Sequence, residues 1–339
     1  MAAGWTYSKA GVNIDKKSSS IGSLVSELKY RRKGFGQMVQ KSGLFASLID
    51  FGDRYVTLAT DGVGTKILIA EELGIWDTIG IDCIAMNVND TICVNAEPVS
   101  FVDYIAIDKP DDEITQQVGI GLNKGAELSD MEIVGGEIAV LPEIINGLDL
   151  SGTCMGIVDK DKVITGETCQ KGDVIVALQA SGLHSNGLTL ARKVVEANNI
   201  NLKDNVPGLQ KSIGMELLTP TEIYVKQVLE ITRNHNVHGL VDITGGGLRN
   251  ILRMRKGLRY TIDDPIKPNP VFGILQELGN IESQEIYQTF NMGMGFTIIA
   301  PEEDAEDIAK KYSNAKVVGR VEEGSGVYFA PEKLIYEHY

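Results

Sequence analysis

The chain lacks several features that would assign it to a class at once. Its 339 residues include four cysteines, Cys83, Cys93, Cys154 and Cys169, and no two of them form a Cys-x-x-Cys pair. A zinc site and thioredoxin-like redox chemistry are therefore not expected. No apolar run approaches the roughly 20 residues that span a bilayer, and the first residues lack a basic segment followed by an apolar one. We therefore expect a cytoplasmic protein with no membrane partner.

Basic residues are also in the minority. Lys and Arg number 32 against 46 Asp and Glu, which gives a formal net charge of −14. Nucleic acid and anionic membranes attract proteins with a basic face, so neither is an expected partner. A small anionic substrate remains compatible with this charge, because backbone N–H groups, a lysine and a bound Mg²⁺ can dominate the field inside a pocket.

The chain shows no internal repeat, low-complexity tract, coiled-coil heptad or Walker lysine motif. Its composition, 43% hydrophobic and 23% charged, is ordinary for a globular protein. The length favours two domains. A polar stretch at residues 165–173 precedes a new strand-like run, so we predict domains at residues 1–168 and 169–339.

The most informative motif is the glycine-containing turn at residues 61–66, which follows a strand-like run at 55–60. Its two glycines let the backbone approach a ligand and turn N–H groups toward an anion. Asp61 supplies a carboxylate of the kind Mg²⁺ prefers, and Lys66 supplies a positive charge. The alternative is a structural turn in which Asp61 caps the following helix. The motif alone leaves the structural turn favoured, and the neighbouring motifs add support for a site that holds a metal-bound phosphate.

Two further glycine loops each follow a strand-like run, at residues 181–187 and 244–247. Loops at the carboxyl end of a strand and the start of a helix are recurrent anion sites. His184 shares the first loop with Ser185 and Asn186, which favours a ligand-binding role over a structural one.

Hydrophobic periodicity predicts the main elements of the chain. A strand at 132–137 is expected to end in glycines and an acid, and 219–222 is expected to start a helix. The basic arm at 29–36 is either solvated or closes over a polyphosphate. The other expected elements are a hairpin over 46–60, helices over 67–73, 78–94 and 115–129, and strands over 100–107, 148–159, 174–178 and 296–300.

Three acidic residues stand at the ends of separate predicted elements, each beside glycine, asparagine or threonine. They are Asp61, Asp90 and Glu137. Acids gathered from several elements can bridge a nucleotide through Mg²⁺ without a Walker loop.

Taken in order, these motifs resemble the phosphoribosylformylglycinamidine cyclo-ligases, also called aminoimidazole ribonucleotide synthetases, of purine biosynthesis. The resemblance covers nearly the whole chain, and the combination of motifs is far more specific than any one of them. The matching segments are 7–14, 60–66, 77–82, 88–90, 96–98, 134–137, 181–187, 219–224, 243–247 and 289–295.

The resemblance implies an ATP-dependent ring closure with ATP and Mg²⁺ as cofactors and formylglycinamidine ribonucleotide as the other reactant. ADP and phosphate would be released with aminoimidazole ribonucleotide. It also implies an α/β fold of two domains, the first of which pairs across a homodimer to form a β-barrel.

The resemblance implies roles for residues on both sides of the site, with His184 as a proton shuttle titrating near neutrality. The implied catalytic residues are His184, Lys66 and Asp90, and the implied metal ligands are Asp61, Asp90 and Glu137. The implied cofactor-binding residues are Asp61, Gly62, Gly64, Thr65, Lys66, Asn89, Gly135 and Gly136. The implied substrate-binding residues are His184, Ser185, Asn186, Gly187, Thr244, Gly245 and Gly246.

The sequence departs from the family pattern at Ile138, Val140 and Asp242, and its arm retains only a short glycine motif at 34–36. Two alternatives to an active cyclo-ligase stay open. One is another ATP-dependent kinase or synthetase of the same architecture, and the other is an inactive nucleotide-binding paralogue. The retained acids, Lys66 and His184 favour an active cyclo-ligase.

Overall fold

A computed structural model describes residues 4–39 and 44–338 of the chain. The helices alternate with the strands of two β-sheets, as an α/β arrangement requires. The helices are α1 Ile14–Glu27, α2 Ile67–Leu73, α3 Ile79–Ile92, α4 Asp112–Ser129, α5 Leu188–Ala197, α6 Ile213–Leu217, α7 Val225–Asn234, α8 Pro270–Gly279, α9 Ser283–Thr289 and α10 Glu302–Lys311. The strands are β1 Met38–Val39, β2 Ser47–Phe51, β3 Arg54–Gly62, β4 Glu97–Ile107, β5 Glu132–Val140, β6 Leu148–Asp159, β7 Val174–Gln179, β8 Gly239–Asp242, β9 Leu258–Ile262, β10 Met294–Ala300, β11 Ala315–Glu323, β12 Gly326–Phe329 and β13 Leu334–Tyr336.

The first sheet has the strand order β1-β2-β3-β6-β4-β5, in which only β4 and β5 pair in parallel. Its inner face packs against α3 and α4. Along β6, buried residues alternate with half-buried ones, which is the period-two pattern of a sheet with one covered face. The outer face carries large apolar side chains that remain exposed in a single chain, including Leu58, Val102 and Tyr104.

Close packing of α3 against α4 fixes the position of α3, which carries several candidate site residues. A Cβ added to Gly80 would lie 2.1 Å from the backbone N of Leu122, and one added to Gly121 would lie 2.5 Å from the carbonyl oxygen of Asp77. Only glycine permits such an approach. Asp111 starts α4 by accepting hydrogen bonds from the N–H groups of residues 113 and 114.

The second sheet has the order β13-β12-β9-β11-β7-β10-β8, and it contains both parallel and antiparallel pairs. All seven residues of β10 are buried between the antiparallel neighbours β7 and β8. A strand buried on both faces reads as a continuous apolar run. Residues 163–173 contain no helix or strand. Along the chain they connect the strands of the first sheet to those of the second, and the predicted boundary falls among them.

Two predicted elements differ from the observed ones. Strand β5 does not end at its glycines but continues to Val140. Residues 219–224 do not start a helix, and α7 begins at Val225. Pro220 is typical of the first residue of a helix. Side chains of α3, however, hold the backbone of this segment in an irregular conformation, as described below.

The first described residues pack on the second half of the chain, although we predicted that they belong to the N-terminal domain. The Trp5 N–H donates to the Gly279 carbonyl at 2.9 Å. The Tyr7 N–H donates to Glu285 Oε1 at 2.6 Å. The arm that follows is solvated, since Tyr30 and Phe35 are exposed. Within residues 4–39 and 44–338, no helix is long and apolar enough to cross a bilayer.

Candidate functional site

The turn at residues 61–66 has the open backbone that the sequence predicts. Strand β3 ends at Gly62, whose N–H donates to Asp61 Oδ1 at 2.8 Å. Gly64 has a φ of +70°, and a Cβ added there would meet nothing within 4 Å. A short 3₁₀ turn over Gly64–Lys66 then leads into α2. The backbone at Gly64 is therefore accessible to a ligand.

Three carboxylates influence one another beside this turn. Asp90, half-buried on α3, has its pKa raised to about 7, chiefly by burial; the charge of Arg253 opposes the shift and that of Asp61 adds to it. Burial raises the pKa of Asp242 well above its usual range, with further contributions from Asp90 and Asp61. Burial also raises the pKa of Asp61. Sequence reasoning missed Asp242 as a site residue, although its place at the end of a strand before a glycine turn signalled it.

Glu137 does not join these carboxylates. Register across the first sheet aligns Gly62 with Ser151, Tyr104 and Glu137 on four adjacent strands. Three strand spacings separate Glu137 from Gly62, which is about 14 Å, and the side chain lies exposed on the outer face with Tyr104. Among the described residues, no three His, Cys, Asp or Glu side chains are close enough to hold a metal ion. The predicted metal site of Asp61, Asp90 and Glu137 is therefore not assembled within one chain.

Gly135 and Gly136 share the distance of Glu137 from the turn, since they precede it on β5. A Cβ added to Gly136 would lie 2.4 Å from Asp103 Oδ1, so this glycine makes room for the Asp103 carboxylate. The departures Ile138 and Val140 lie farther along the same strand, each about half exposed. They are remote from the three clustered carboxylates.

Lys66 is fully buried rather than facing the turn. Its Nζ lies 2.8 Å from Asp82 Oδ1 and donates to the Thr219 carbonyl at 2.6 Å. Burial lowers the pKa of Lys66, and the charge of Asp82 opposes this shift. In this arrangement Nζ is buried against groups of the protein itself, and the phosphate contact that we predicted for Lys66 stays a prediction.

Asn89 is likewise committed to structural contacts. Its Nδ2 donates to the Glu222 carbonyl at 2.9 Å, and its Oδ1 accepts from the Tyr224 N–H at 3.1 Å. Its side chain is buried. Asn89 therefore fixes residues 222–224 instead of facing a cofactor.

The His184 ring is buried within the loop at 184–187. His184 has a φ of +62°, and its Nε2 is buried without a hydrogen-bond partner in the structure. Burial, with the nearby charge of Lys66, lowers the pKa of His184 to about 3. The imidazole is therefore neutral at physiological pH, and the predicted shuttle titrating near neutrality does not fit this environment.

The two substrate-side loops do come together as predicted. A Cβ added to Gly245 would lie 2.9 Å from Asn186 Oδ1, so the two loops touch. The turn over Thr244 and Gly246 is closed by a 2.8 Å hydrogen bond from the Gly247 N–H to the Thr244 carbonyl.

Contacts also join this side to the nucleotide-side turn. Thr65 Oγ1 lies 2.9 Å from Thr189 Oγ1, just beyond Gly187. Ser185 Oγ lies 3.2 Å from Thr221 Oγ1, and the Thr221 hydroxyl donates to Asp82 Oδ1 of α3 in the first half. The site is therefore built from both halves of the chain.

Sequence reasoning also missed Tyr7, Thr221 and Tyr224. Burial raises the pKa of the Tyr7 hydroxyl, and the neighbouring Gly187 N–H opposes this shift. The Tyr224 ring lies 6.3 Å from the His184 ring, centroid to centroid. The only sequence signal for them was their place in segments 7–14 and 219–224, to which no role was given.

Comparison with known proteins identifies relatives along nearly the whole chain. Residues 45–158 match the family model described as AIR synthase related protein, N-terminal domain, and residues 170–330 match its C-terminal domain. Phosphoribosylformylglycinamidine cyclo-ligase of Methanococcoides burtonii is 50% identical over 95% of this chain and 96% of its own. The enzyme of the same name from Methanocaldococcus jannaschii is 47% identical over 93% of this chain and 92% of its own.

Solved structures share the fold at low identity. Thiamine monophosphate kinase from Aquifex aeolicus has a TM-score of 0.62 at 18% identity, covering 94% of this chain and 98% of its own. AaThiL complexed with AMPPCP and TMP has a TM-score of 0.66 at 18% identity, covering 95% of this chain and 97% of its own. The hydrogenase maturation protein HypE of E. coli has a TM-score of 0.60 at 16% identity, covering 84% and 85%.

Proposed function

The chain belongs to the phosphoribosylformylglycinamidine cyclo-ligase family, and we propose that it closes the imidazole ring of aminoimidazole ribonucleotide at the cleft between its two halves. The reaction consumes ATP and formylglycinamidine ribonucleotide and releases ADP and phosphate. The observation that carries this assignment is the approach of the open glycine turn of the first half to the second half, where Thr65 contacts Thr189 just after the 184–187 loop and Asp61 influences Asp242 just before the 244–247 turn.

The ring closure needs an activated formyl oxygen, because an amide oxygen is a poor leaving group. The formyl oxygen attacks the γ-phosphorus of ATP, and ADP leaves. The amidine nitrogen then attacks the formyl carbon, the carbon–oxygen bond breaks, and inorganic phosphate carries the oxygen away. Loss of a proton from the attacking nitrogen, and transfer of a proton from the ring methylene carbon to the exocyclic imine nitrogen, complete the aromatic aminoimidazole.

The nucleotide binds on the side of the 61–66 turn in this proposal. The N–H groups exposed around Gly64 would hold a phosphate, since successive backbone N–H groups form anion sites. Asp61 and Asp90 fit a Mg²⁺ ion, because Mg²⁺ takes one or two carboxylates together with substrate phosphates. When bound there, Mg²⁺ would offset charge on the triphosphate. Burial is the main cause of their raised pKa values, and a bound cation would oppose that shift.

The ribonucleotide binds against residues 184–187 and 244–246 in this proposal. His184 acts there as a neutral hydrogen-bonding group through its unpartnered Nε2. Ser185 and Asn186 add a hydroxyl and an amide beside it. A neutral imidazole can orient the amidine without carrying a charge into the site.

A homodimer would cover the exposed apolar face of the first sheet. Leu58, Val102 and Tyr104 are each more than 40% exposed, and exposed apolar patches mark protein interfaces. Pairing of two such sheets into a barrel would also bring Glu137 of each chain into the interface. We also propose that the protein is cytoplasmic.

The variant Asp90→Asn tests the nucleotide side. We expect a fall in kcat equivalent to about 2 kcal/mol or more, roughly 30-fold, because a charge-stabilising group is lost while the side-chain volume is kept. ADP release and formation of the aminoimidazole are measured together in steady state. The control is Asp53→Asn, on the exposed turn between β2 and β3, which should turn over like the wild type. Unchanged turnover in Asp90→Asn would remove Asp90 from the site.

A further inference from the structure

A buried ion pair joins the two halves of the chain beside the site. Lys66 and Asp82 have no exposed side-chain surface, and Nζ lies 2.8 Å from Oδ1. The same Oδ1 accepts from the Thr221 N–H at 2.7 Å and from the Thr221 hydroxyl at 2.6 Å. Lys66 also donates to the Thr219 carbonyl at 2.6 Å. Lys66 and Asp82 thus bind a segment that lies 139 residues from Asp82 along the chain.

These contacts reach both reactant sides. Lys66 is the last residue of the 61–66 turn, so its position is coupled to that turn. The Thr221 hydroxyl lies 3.2 Å from the Ser185 hydroxyl. Ser185 belongs to the loop at residues 184–187, which we call the substrate-side loop. The Ser181 hydroxyl, just before that loop, donates to the Pro220 carbonyl at 2.6 Å. A shift of residues 219–221 would therefore displace the substrate-side loop relative to the nucleotide turn.

The chemistry of the pair argues for positioning. Removing two charges from water is costly, so a buried ion pair is weak evidence for stability, but its loss on one side leaves an uncompensated buried charge. Nζ has one further N–H to donate, but the Lys66 side chain has no exposed surface, so a phosphate could reach it only if the residues around it moved. Lys66 therefore fixes residues 219–221 of the second domain.

We propose that Lys66, Asp82 and Thr221 form an interdomain clamp that holds the substrate-side loop in register with the nucleotide-side turn. Lys66 is then a positioning residue for ring closure and not a phosphate ligand. The kinetic part of this inference rests on the proposed function.

The test compares Lys66→Met, Asp82→Asn and the double variant, with Lys310→Met as control. Lys310 forms an exposed ion pair with Glu306. Each single variant leaves one buried charge unpaired, whereas the double variant is neutral. We expect each single change to lower kcat about tenfold or more and the double variant to recover at least about fivefold over Lys66→Met. The control should match the wild type.

Binding of AMPPCP, a non-hydrolysable ATP analogue, separates the two roles of Lys66. The clamp predicts that the double variant binds AMPPCP within about threefold of the wild type. If Lys66 held a phosphate, Lys66→Met and the double variant would lose this affinity equally, and Asp82→Asn would keep it. That pattern would overturn the clamp, as would wild-type kcat in all three variants.

Thr221→Val provides a milder test should the charge variants fail to fold. It keeps the backbone N–H and the side-chain shape but removes the hydroxyl that contacts Asp82 and Ser185. We expect kcat to fall about fivefold or more with an unchanged KM for ATP; an unchanged kcat would contradict the clamp.

Amide hydrogen exchange of Thr221→Val tests the clamp without any turnover. Exchange should be faster at residues 184–187 and 219–224 than in the wild type, and unchanged exchange there would overturn the clamp. If the wild-type protein formed no aminoimidazole product, the proposed function would fail, and this exchange experiment would still decide on the clamp.

Discussion

His184 is held neutral by its surroundings, and this has a measurable consequence for stability at the residue scale. Its pKa lies at about 3 in the folded chain because of burial and the charge of Lys66, against about 6.5 when unfolded. Below about pH 6.5 the unfolded state binds a proton that the folded state does not, so the free energy of unfolding decreases as the pH is lowered. The stabilising contribution of neutral His184 is complete above about pH 6.5 and is lost as pH falls toward the folded pKa.

We therefore expect His184 to account for a loss of about 2 kcal/mol in the free energy of unfolding between about pH 7.5 and pH 5. Denaturant unfolding at both pH values measures the difference. His184→Asn should remove it, since asparagine tolerates the positive φ of this position. His338→Asn, at an exposed residue near the end of the chain, should leave it in place. An identical pH dependence in wild type and His184→Asn would show that His184 titrates normally.

Among the elements, the N-terminal segment over residues 4–12 packs against the second domain and forms hydrogen bonds with it. The Tyr7 hydroxyl lies beside the Gly187 N–H, which lowers the pKa of the hydroxyl, and the Tyr7 N–H donates to Glu285 Oε1. Gly187 has a φ of +76° and immediately precedes α5. The segment thereby fixes the end of the substrate-side loop.

Tyr7→Phe should therefore weaken ribonucleotide binding. Because one hydrogen bond contributes about 1 kcal/mol, we expect the KM for formylglycinamidine ribonucleotide to rise about fivefold while the KM for ATP changes little. Steady-state kinetics with each substrate varied in turn measures both constants. Tyr30→Phe, at an exposed tyrosine of the arm, is the matched control. A rise confined to the KM for ATP would place Tyr7 on the wrong side of the site.

The elements with a strong local pattern were predictable from sequence. Helix α2 has the predicted bounds because its apolar spacing ends at Gly74, which adopts the left-handed conformation that terminates helices. The segment at 219–224 was not predictable. Asp82 and Asn89 bind its backbone N–H groups at residues 221 and 224, and no local pattern reports partners so distant along the chain.

The site was predictable in its loops but not in its charges. The glycine turn at 61–66 and the loop at 184–187 have the local chemistry that their spacing indicates. The burial of Lys66, the low pKa of His184 and the separation of Glu137 from Asp61 depend on tertiary packing and sheet register. Residue type alone suggested a free cation, a titrating imidazole and a third metal ligand, and packing changed each of these.

For the whole molecule, the outer face of the first sheet is the surface through which we propose that two chains pair. It presents Leu58, Val102 and Tyr104 to solvent in a single chain, whereas the inner face is covered by α3 and α4. A net charge of −14 would oppose nonspecific association, so pairing through this face needs apolar complementarity.

Tyr104→Glu should shift a homodimer to the monomer, because a charge would be buried in the interface without a partner. Analytical ultracentrifugation of wild type and variant measures the mass in solution. The control is Tyr328→Phe, on the second sheet, which should leave the mass unchanged. A wild-type protein that sediments as a monomer, or a Tyr104→Glu protein that remains a dimer, would exclude this face as the interface.

We propose that this chain uses ATP to activate the formyl oxygen before the ring closes. It is tested most directly with formylglycinamidine ribonucleotide carrying a heavy oxygen isotope in the formyl group, incubated with the wild-type protein, ATP and Mg²⁺. Mass spectrometry then follows the isotope, while ADP and aminoimidazole ribonucleotide are quantified. We expect equal amounts of ADP and aminoimidazole ribonucleotide, with the heavy oxygen in the released phosphate. ADP formed without the aminoimidazole, or phosphate free of the isotope, would contradict it.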